Sequence, residues 1–123
     1  MRNLTEVKAK LVEVLGIPAD MIWLHTIARN EECALGVYIR KGNRQKQELL
    51  GGEDNRAYGT LPVTVLLRWG KDGAAAEAKA AEVYSRLTEL DLSFALFEGP
   101  VWLGADGRGV FEYTVDVDFL YET

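Results

Sequence analysis

The sequence predicts an α+β domain in which one mainly antiparallel β-sheet carries two α-helices packed on one face. Two segments have the periodicity of amphipathic helices, and the segments around them have the alternation of apolar and polar residues that is typical of strands. The chain has 123 residues, of which 48% are hydrophobic. This is enough for one compact core, so we expect a single domain over residues 1–123.

The first predicted element is a helix. Asn3 can cap its amino terminus, and Glu6 stands three residues later, as in a capping box. Gly16 and Pro18 end it. One helical face is apolar and collects Leu4, Val7, Leu11, Val14 and Leu15.

Two strand candidates follow, Met21–Ala28 and Ala34–Arg40. The short polar connection Arg29–Cys33 favours a hairpin between them. The next segment, Lys41–Gly59, is predicted to be a long irregular loop. A loop of this length in a small domain is often functional.

The middle of the chain predicts a strand and then the second helix. Thr60–Trp69 alternates apolar and polar residues, and Pro62 near its start favours an edge strand or the first ladder position. Gly70–Gly73 is a turn, in which Asp72 can cap a helix over Ala74–Leu90. The buried stripe predicted for this helix is Ala76, Ala80, Val83, Tyr84 and Leu87.

The last third predicts a closing hairpin. Phe94–Leu103 is extended, with an interruption at Gly99-Pro100, and Val110–Tyr121 is the longest strand. The glycines between them join strand to strand, whereas a dinucleotide-binding loop leads into a helix. They suit the positive φ angles of a hairpin turn.

The acidic side chains of the last strand raise the question of a metal site. Residues two apart in a strand point to the same side, so Glu112, Asp116 and Asp118 share the polar face. Carboxylate oxygens at this spacing could hold Mg²⁺ or Ca²⁺. The preferred interpretation is an acidic stripe on the open face of an antiparallel sheet, with no catalytic residue and no bound metal.

One basic cluster precedes and enters the long loop, and it consists of Arg40, Lys41, Arg44 and Lys46. No aromatic residue interleaves it, so single-strand nucleic-acid binding by stacking is not indicated. It is either a solvated loop or a contact for an acidic protein face or for DNA. If one subunit's cluster met the acidic stripe of another, the contact would be heterologous, a kind that can close into rings.

Composition excludes several classes of function. The net charge of −5 argues against a protein that grips nucleic-acid phosphates. The single cysteine and single histidine exclude an internal disulfide and a metal site rich in these residues. No apolar run approaches the roughly 20 residues of a membrane span. We therefore expect a protein without membrane association, made in a reducing cytoplasm.

The order of motifs carries a family resemblance. GGEDNRAYG at residues 51–59 precedes LPVTV at 61–65, and EVYSRL at 82–87 precedes PVWLGADGRG at 100–109. The chain closes on EYTVDVDFLYE at 112–122. This ordered set resembles the minor capsid proteins of tailed bacteriophages and prophages, close to the tail-terminator group.

The resemblance implies a structural virion protein without a cofactor or an active site, made in the host bacterial cytoplasm. Such a protein is expected to form a hexameric ring on the head-proximal end of the tail tube and to join it to the head connector. Its expected partners are other copies of itself, the tail-tube protein and a head-completion or stopper protein. DNA is expected to pass through the ring without specific binding.

Three alternatives stay open. The chain could be another neck or minor capsid component of the head-tail junction. It could be a metal-dependent enzyme that uses Asp116 and Asp118. It could also be a monomeric binding module that uses the basic cluster. In the ring interpretation, the candidate contact residues are Arg40, Lys41, Arg44, Lys46, Glu112, Asp116 and Asp118.

Overall fold

A computed structural model describes residues 3–25, 27, 31–40, 47–49, 57–89, 94–96 and 99–122. These residues form two α-helices, a short 3₁₀ turn at Ala19–Met21 and seven strands. The helices are α1 (Leu4–Leu15) and α2 (Gly73–Thr88). The strands are β1 (Ile22–Leu24), β2 (Cys33–Ile39), β3 (Gln47–Leu49), β4 (Ala57–Trp69), β5 (Phe94–Leu96), β6 (Val101–Ala105) and β7 (Phe111–Glu122).

The seven strands form one mostly antiparallel sheet. Its central path runs β1-β2-β4-β7-β5, while β3 pairs with β4 and β6 pairs with β7. Helix α1 contacts β1 and β2, helix α2 contacts β4 and β7, and the helices contact each other. Both helices therefore cover the same face of the sheet, and the predicted α+β class is confirmed.

Both helices begin where their sequences predict and α1 ends as predicted, whereas α2 ends at Thr88 and not at the predicted Leu90. The Asn3 side chain accepts a hydrogen bond from the Glu6 amide at 2.9 Å, and Gly16 ends α1 with φ of 67°. Asp72 accepts bonds from the first amides of α2, at Ala74 and Ala75. The core lies between helices and sheet, and its fully buried large residues include Val7, Leu11, Leu35, Leu61, Val63, Val65, Leu67, Val83, Leu87, Val117 and Phe119.

The predicted hairpin between the first two strands is wrong, because β1 and β2 are parallel. The chain leaves β1 at His25, which has φ of 75° and donates its amide to Val37 O at 2.9 Å. Ile27 then lies against Gly36, where an added Cβ would stand 3.0 Å from Ile27 Cγ1. Gly36 lies between the helix-facing residues Leu35 and Val37, so its position for a Cβ, and Ile27 beside it, are on the face of the sheet opposite the helices.

Part of the predicted loop Lys41–Gly59 is strand. β3 (Gln47–Leu49) pairs antiparallel with the start of β4, which begins at Ala57 and not at Thr60. Residues 41–46 and 50–56 lie outside the described residues. The loop prediction is therefore wrong for residues 47–49 and 57–59, which pair with each other as β3 and the start of β4.

Pro62 lies inside the central strand β4, so the edge-strand alternative is wrong. The other alternative, a position at the start of a ladder, fits better, because pairing with β2 begins at the next residue, Val63. The Pro62 oxygen accepts a hydrogen bond from the Arg40 amide at 3.0 Å, so the Pro62 nitrogen also faces the side of β4 that β2 occupies. On that side β2 pairs from Val63 onward and β3 pairs up to Gly59. Proline is tolerated here because its nitrogen faces the gap between two partner strands.

The Asp72 cap provides a test of how α2 begins. Asp72→Ala removes an acceptor for two amides and is expected to lower the free energy of unfolding by about 1 kcal/mol. Asp72→Asn keeps a capping oxygen and serves as the matched control. Urea unfolding followed by circular dichroism measures both, and equal losses for the two variants would contradict the capping role.

Candidate functional site

The face of the sheet opposite the helices, called here the outer face, carries the acidic stripe. Along β7 the side chains of Val115, Val117 and Phe119 are buried on the helix side, which confirms the predicted alternation. The outward residues Glu112, Thr114, Asp116 and Asp118 are each half-buried. They are half-buried because side chains from β2 and β4 reach across to them.

Arg40 connects three strands at one end of the outer face. It follows β2, and its guanidinium group forms an ion pair with Asp118 on β7. Its Nη1 also donates to Val63 O on β4 at 3.3 Å. Pro62, which pairs with Asp118 across the β4–β7 ladder, lies between the two charged residues in the strand order.

The middle of the outer face is a polar contact beside a half-buried tyrosine. Thr64 Oγ1 donates to Asp116 Oδ1 at 2.7 Å across the β4–β7 ladder. Tyr38 stands opposite Thr64 on β2. Burial raises the pKa of Tyr38, and the charges of Glu112 and Asp116 raise it further, so the phenol stays neutral at ordinary pH.

At the other end, Arg68 joins the central strand to the closing hairpin. Its side chain is only 10% exposed and forms an ion pair with Asp106. Its Nε lies 3.8 Å from Glu112 Oε2. Sequence reasoning missed Arg68 because its only local signal is a charge inside an apolar strand. Its position opposite Glu112 depends on the β4–β7 register.

Asp106 also determines the conformation of the hairpin turn between β6 and β7. Its carboxylate accepts the amides of Arg108 and Val110, at 2.8 and 3.0 Å. The Val110 bond has the largest effect in holding the pKa of Asp106 below its usual 3.8. The Arg108 amide and the charges of Arg68 and Arg108 lower this pKa further, whereas desolvation raises it.

The structure places the predicted contact residues in two groups. Arg40, Glu112, Asp116 and Asp118 come together on the outer face, where Arg40 neutralises the subunit's own Asp118. Lys41, Arg44 and Lys46 lie outside the described residues. That these residues contact another subunit or partner stays a prediction.

The outer face remains acidic after these contacts. Among the described residues, the guanidinium groups of Arg40, Arg68 and Arg108 accompany four carboxylates, those of Asp106, Glu112, Asp116 and Asp118. Asp116 and Asp118 thus already have partners within the chain. Among the described residues, no group of three or more His, Cys, Asp or Glu side chains is arranged to hold a metal ion.

The edge strand β6 has a different surface, which sequence reasoning also missed. Val101, Trp102 and Leu103 are 54%, 60% and 56% exposed, three large apolar residues in succession. β6 pairs with β7 on one side, and a register shift between Trp102 and Gly104 interrupts that ladder at Leu103. Exposed apolar patches of this kind mark protein contacts.

The opposite edge of the sheet has an apolar groove between α1 and β1. Its lining residues are Thr5, Lys8, Ala9, Val12, Ala19 and Leu24, and its volume is about 480 Å³. The four lining residues that belong to α1 follow the i, i+3, i+4, i+7 spacing of one helical flank, distinct from the buried stripe of that helix.

Within the part of the chain that the structure describes, no helix is long and apolar enough to cross a membrane.

The Arg68 contacts can be tested by removing the guanidinium group. Arg68→Met leaves Asp106 and Glu112 without their cation and is expected to lower the free energy of unfolding by about 1–3 kcal/mol. Arg86→Met, at an exposed position on α2, is the control and should change it by less than about 0.5 kcal/mol. Equal effects in urea unfolding would contradict a structural role for Arg68.

The lowered pKa of Asp106 predicts how stability depends on pH. The ionised carboxylate is favoured in the folded state, so its contribution is complete above the usual pKa of 3.8 and is lost as pH falls through the lower folded value. Urea unfolding between about pH 6 and about pH 2.5 should therefore show a smaller acid-induced loss for Asp106→Asn than for the wild type. Parallel curves would contradict this assignment.

Comparison with known proteins gives one result that bears on function. The family model described as bacteriophage tail terminator protein matches residues 19–123, which is most of the chain and every described strand. Helix α1 lies outside the matched residues. No curated protein matches. The match over β1 to β7 confirms the resemblance carried by the motif order, and the chain therefore belongs to the bacteriophage tail terminator family and is a structural protein of the phage tail.

Proposed function

We propose that this protein forms a ring that caps the head-proximal end of the tail tube, stops tube growth and joins the tube to the head connector. The observation that carries the proposal is the family match over residues 19–123. The ring is proposed to be a hexamer. Its proposed partners are the tail-tube protein on one side and a head-completion or stopper protein on the other.

The architecture supports assembly through the edges of the sheet. An open sheet has two different edges, and contact between unlike surfaces is heterologous, which closes into a ring when the rotation between subunits allows it. Here β1 forms one edge, and β5 and β6 extend the other. A ring built in this way leaves the outer face free for another role.

The charge of the outer face supports passage of DNA without binding. Among the described residues, its four carboxylates outnumber the guanidinium groups of Arg40, Arg68 and Arg108, and the chain as a whole carries a net charge of −5. Protein surfaces bind DNA mainly by neutralising phosphates with Lys and Arg. We propose that the outer face lines or flanks the lumen, where an excess of carboxylates would keep DNA from adhering.

The basic cluster keeps its proposed role as a contact for another subunit or a partner. Arg40 is already paired within its own subunit, so the cations proposed for this contact are Lys41, Arg44 and Lys46. Charge reversal at Arg44 and Lys46 is expected to weaken assembly as measured by light scattering. Unchanged assembly of this double variant would remove the cluster from the proposed interface.

Tube capping can be tested directly with the tail-tube protein of the same phage. Adding the protein during tube polymerisation is expected to give shorter tubes, because capped ends no longer accept subunits. Negative-stain images should then show extra density at one end only and six-fold rings in top view.

A matched control for capping is the same protein after heat denaturation, which has the same composition and no fold. Tubes that grow to the control length, with no density at either end, would overturn the proposed function. Density at both ends would contradict a head-proximal cap.

A further inference from the structure

We propose that the exposed apolar strand β6 of one subunit docks into the α1–β1 groove of the next subunit, with Trp102 as the main contact. This inference rests on the proposed ring, because it names the surfaces through which neighbouring subunits meet. The occupant of the groove is thus a second copy of this chain.

The first argument is that β6 is an edge strand with exposed apolar side chains and no charged residue among them. Edge strands are commonly shielded by charged residues or proline, and the five residues of β6, Val-Trp-Leu-Gly-Ala, include neither. Its three large side chains are more than half exposed. Water contact with this much apolar surface is unfavourable, and burial against a partner removes it.

The second argument is that the groove and the strand cannot meet within one subunit. β1 and β6 are separated by the intervening strands β2, β4 and β7. At the usual spacing between strands, this path across the sheet measures about 19 Å. A contact between them therefore has to join two different copies.

The third argument is that the two features lie on the same face of the sheet. Trp102 pairs with Tyr113, which belongs to the helix-facing set of β7, so the indole projects to the helix side. The groove is bounded by α1, which lies on that same side at the other edge. Subunits placed side by side in one orientation then bring Trp102 to the neighbour's groove.

The polarity of the groove matches an aromatic side chain. Ala9, Val12, Ala19 and Leu24 offer apolar surface, and of the described residues that line the groove Lys8 alone is charged. A cation beside an indole is favourable when it approaches the ring face. The volume of about 480 Å³ is large enough for the indole of Trp102.

The contact joins two different surfaces, β6 of one subunit and the α1–β1 groove of the next, so it repeats head to tail. A contact between like patches would stop at a dimer, whereas this one leaves a free groove and a free β6 after each addition. Closure with all α1 helices on one side of the wall gives a ring. The helix layer and the acidic outer face would then lie on opposite sides of that wall.

The test uses one charge on each side of the contact and a matched control. Trp102→Glu alters β6, and Ala9→Glu alters the groove. Ala78→Glu is the control, since both alanines are exposed on a helix and each precedes another glutamate by four residues, Glu13 or Glu82. Circular dichroism confirms folding, and Trp102→Ala replaces Trp102→Glu if the latter does not fold.

Light scattering over a concentration series measures assembly. Trp102→Glu and Ala9→Glu are expected to weaken it at least tenfold, as for a central tryptophan of an interface, while Ala78→Glu matches the wild type. Equimolar mixing of Trp102→Glu with Ala9→Glu should give dimers and nothing larger. Each such dimer joins the intact β6 of one variant to the intact groove of the other.

Several results would overturn the inference. These are a wild type that stays monomeric up to millimolar concentration, assembly of both variants at wild-type strength, or no complex on mixing them. If both variants still form rings that cap tubes, this inference fails and the proposed function stands. If both variants dissociate but wild-type oligomers do not cap tubes, the contact stands and the proposed function fails.

Discussion

The long antiparallel pairing of β4 with β7 is the constraint on which the rest of the structure depends. Its register runs from Tyr58 opposite Glu122 to Arg68 opposite Glu112. The same alignment places the apolar residues of both strands under the helices and the polar residues on the outer face. A slip by one residue would exchange the faces and bury carboxylates against α2. Core and outer face are thus determined together by one ladder.

The pairing of outer-face side chains within the subunit follows from that ladder. Arg68 reaches Glu112 and the turn residue Asp106, and Thr64 reaches Asp116. Groups already paired inside a subunit gain little from a second partner, because a new contact would first have to break the existing one. In the proposed ring, the surfaces that would serve assembly are consequently the edges of the sheet, where β6 and the α1–β1 groove are apolar.

The features that sequence reasoning predicted are those that depend on neighbours along the chain. The caps at Asn3 and Asp72, the two apolar helix stripes and the alternation of β7 each follow from local spacing. The parallel β1–β2 pairing was missed because the short polar connection between the two segments favoured a hairpin, and strand direction has no signal in the local residue pattern. Arg68 was missed because its position opposite Glu112 depends on the β4–β7 register. Trp102 was assigned to an extended segment, but its exposure depends on which strand lies beside β6.

Two kinds of contact have been proposed between subunits, and their magnitudes give them different roles. An exposed ion pair of the basic cluster with a carboxylate is worth about 0–1 kcal/mol and weakens with salt. A well-buried interface tryptophan commonly contributes about 2 kcal/mol or more. Affinity would therefore come from Trp102 in the groove, and charge would guide approach and orientation. Because α1 lies outside the residues matched to the family, one wall of that groove is supplied by a part of this chain that the family model does not describe.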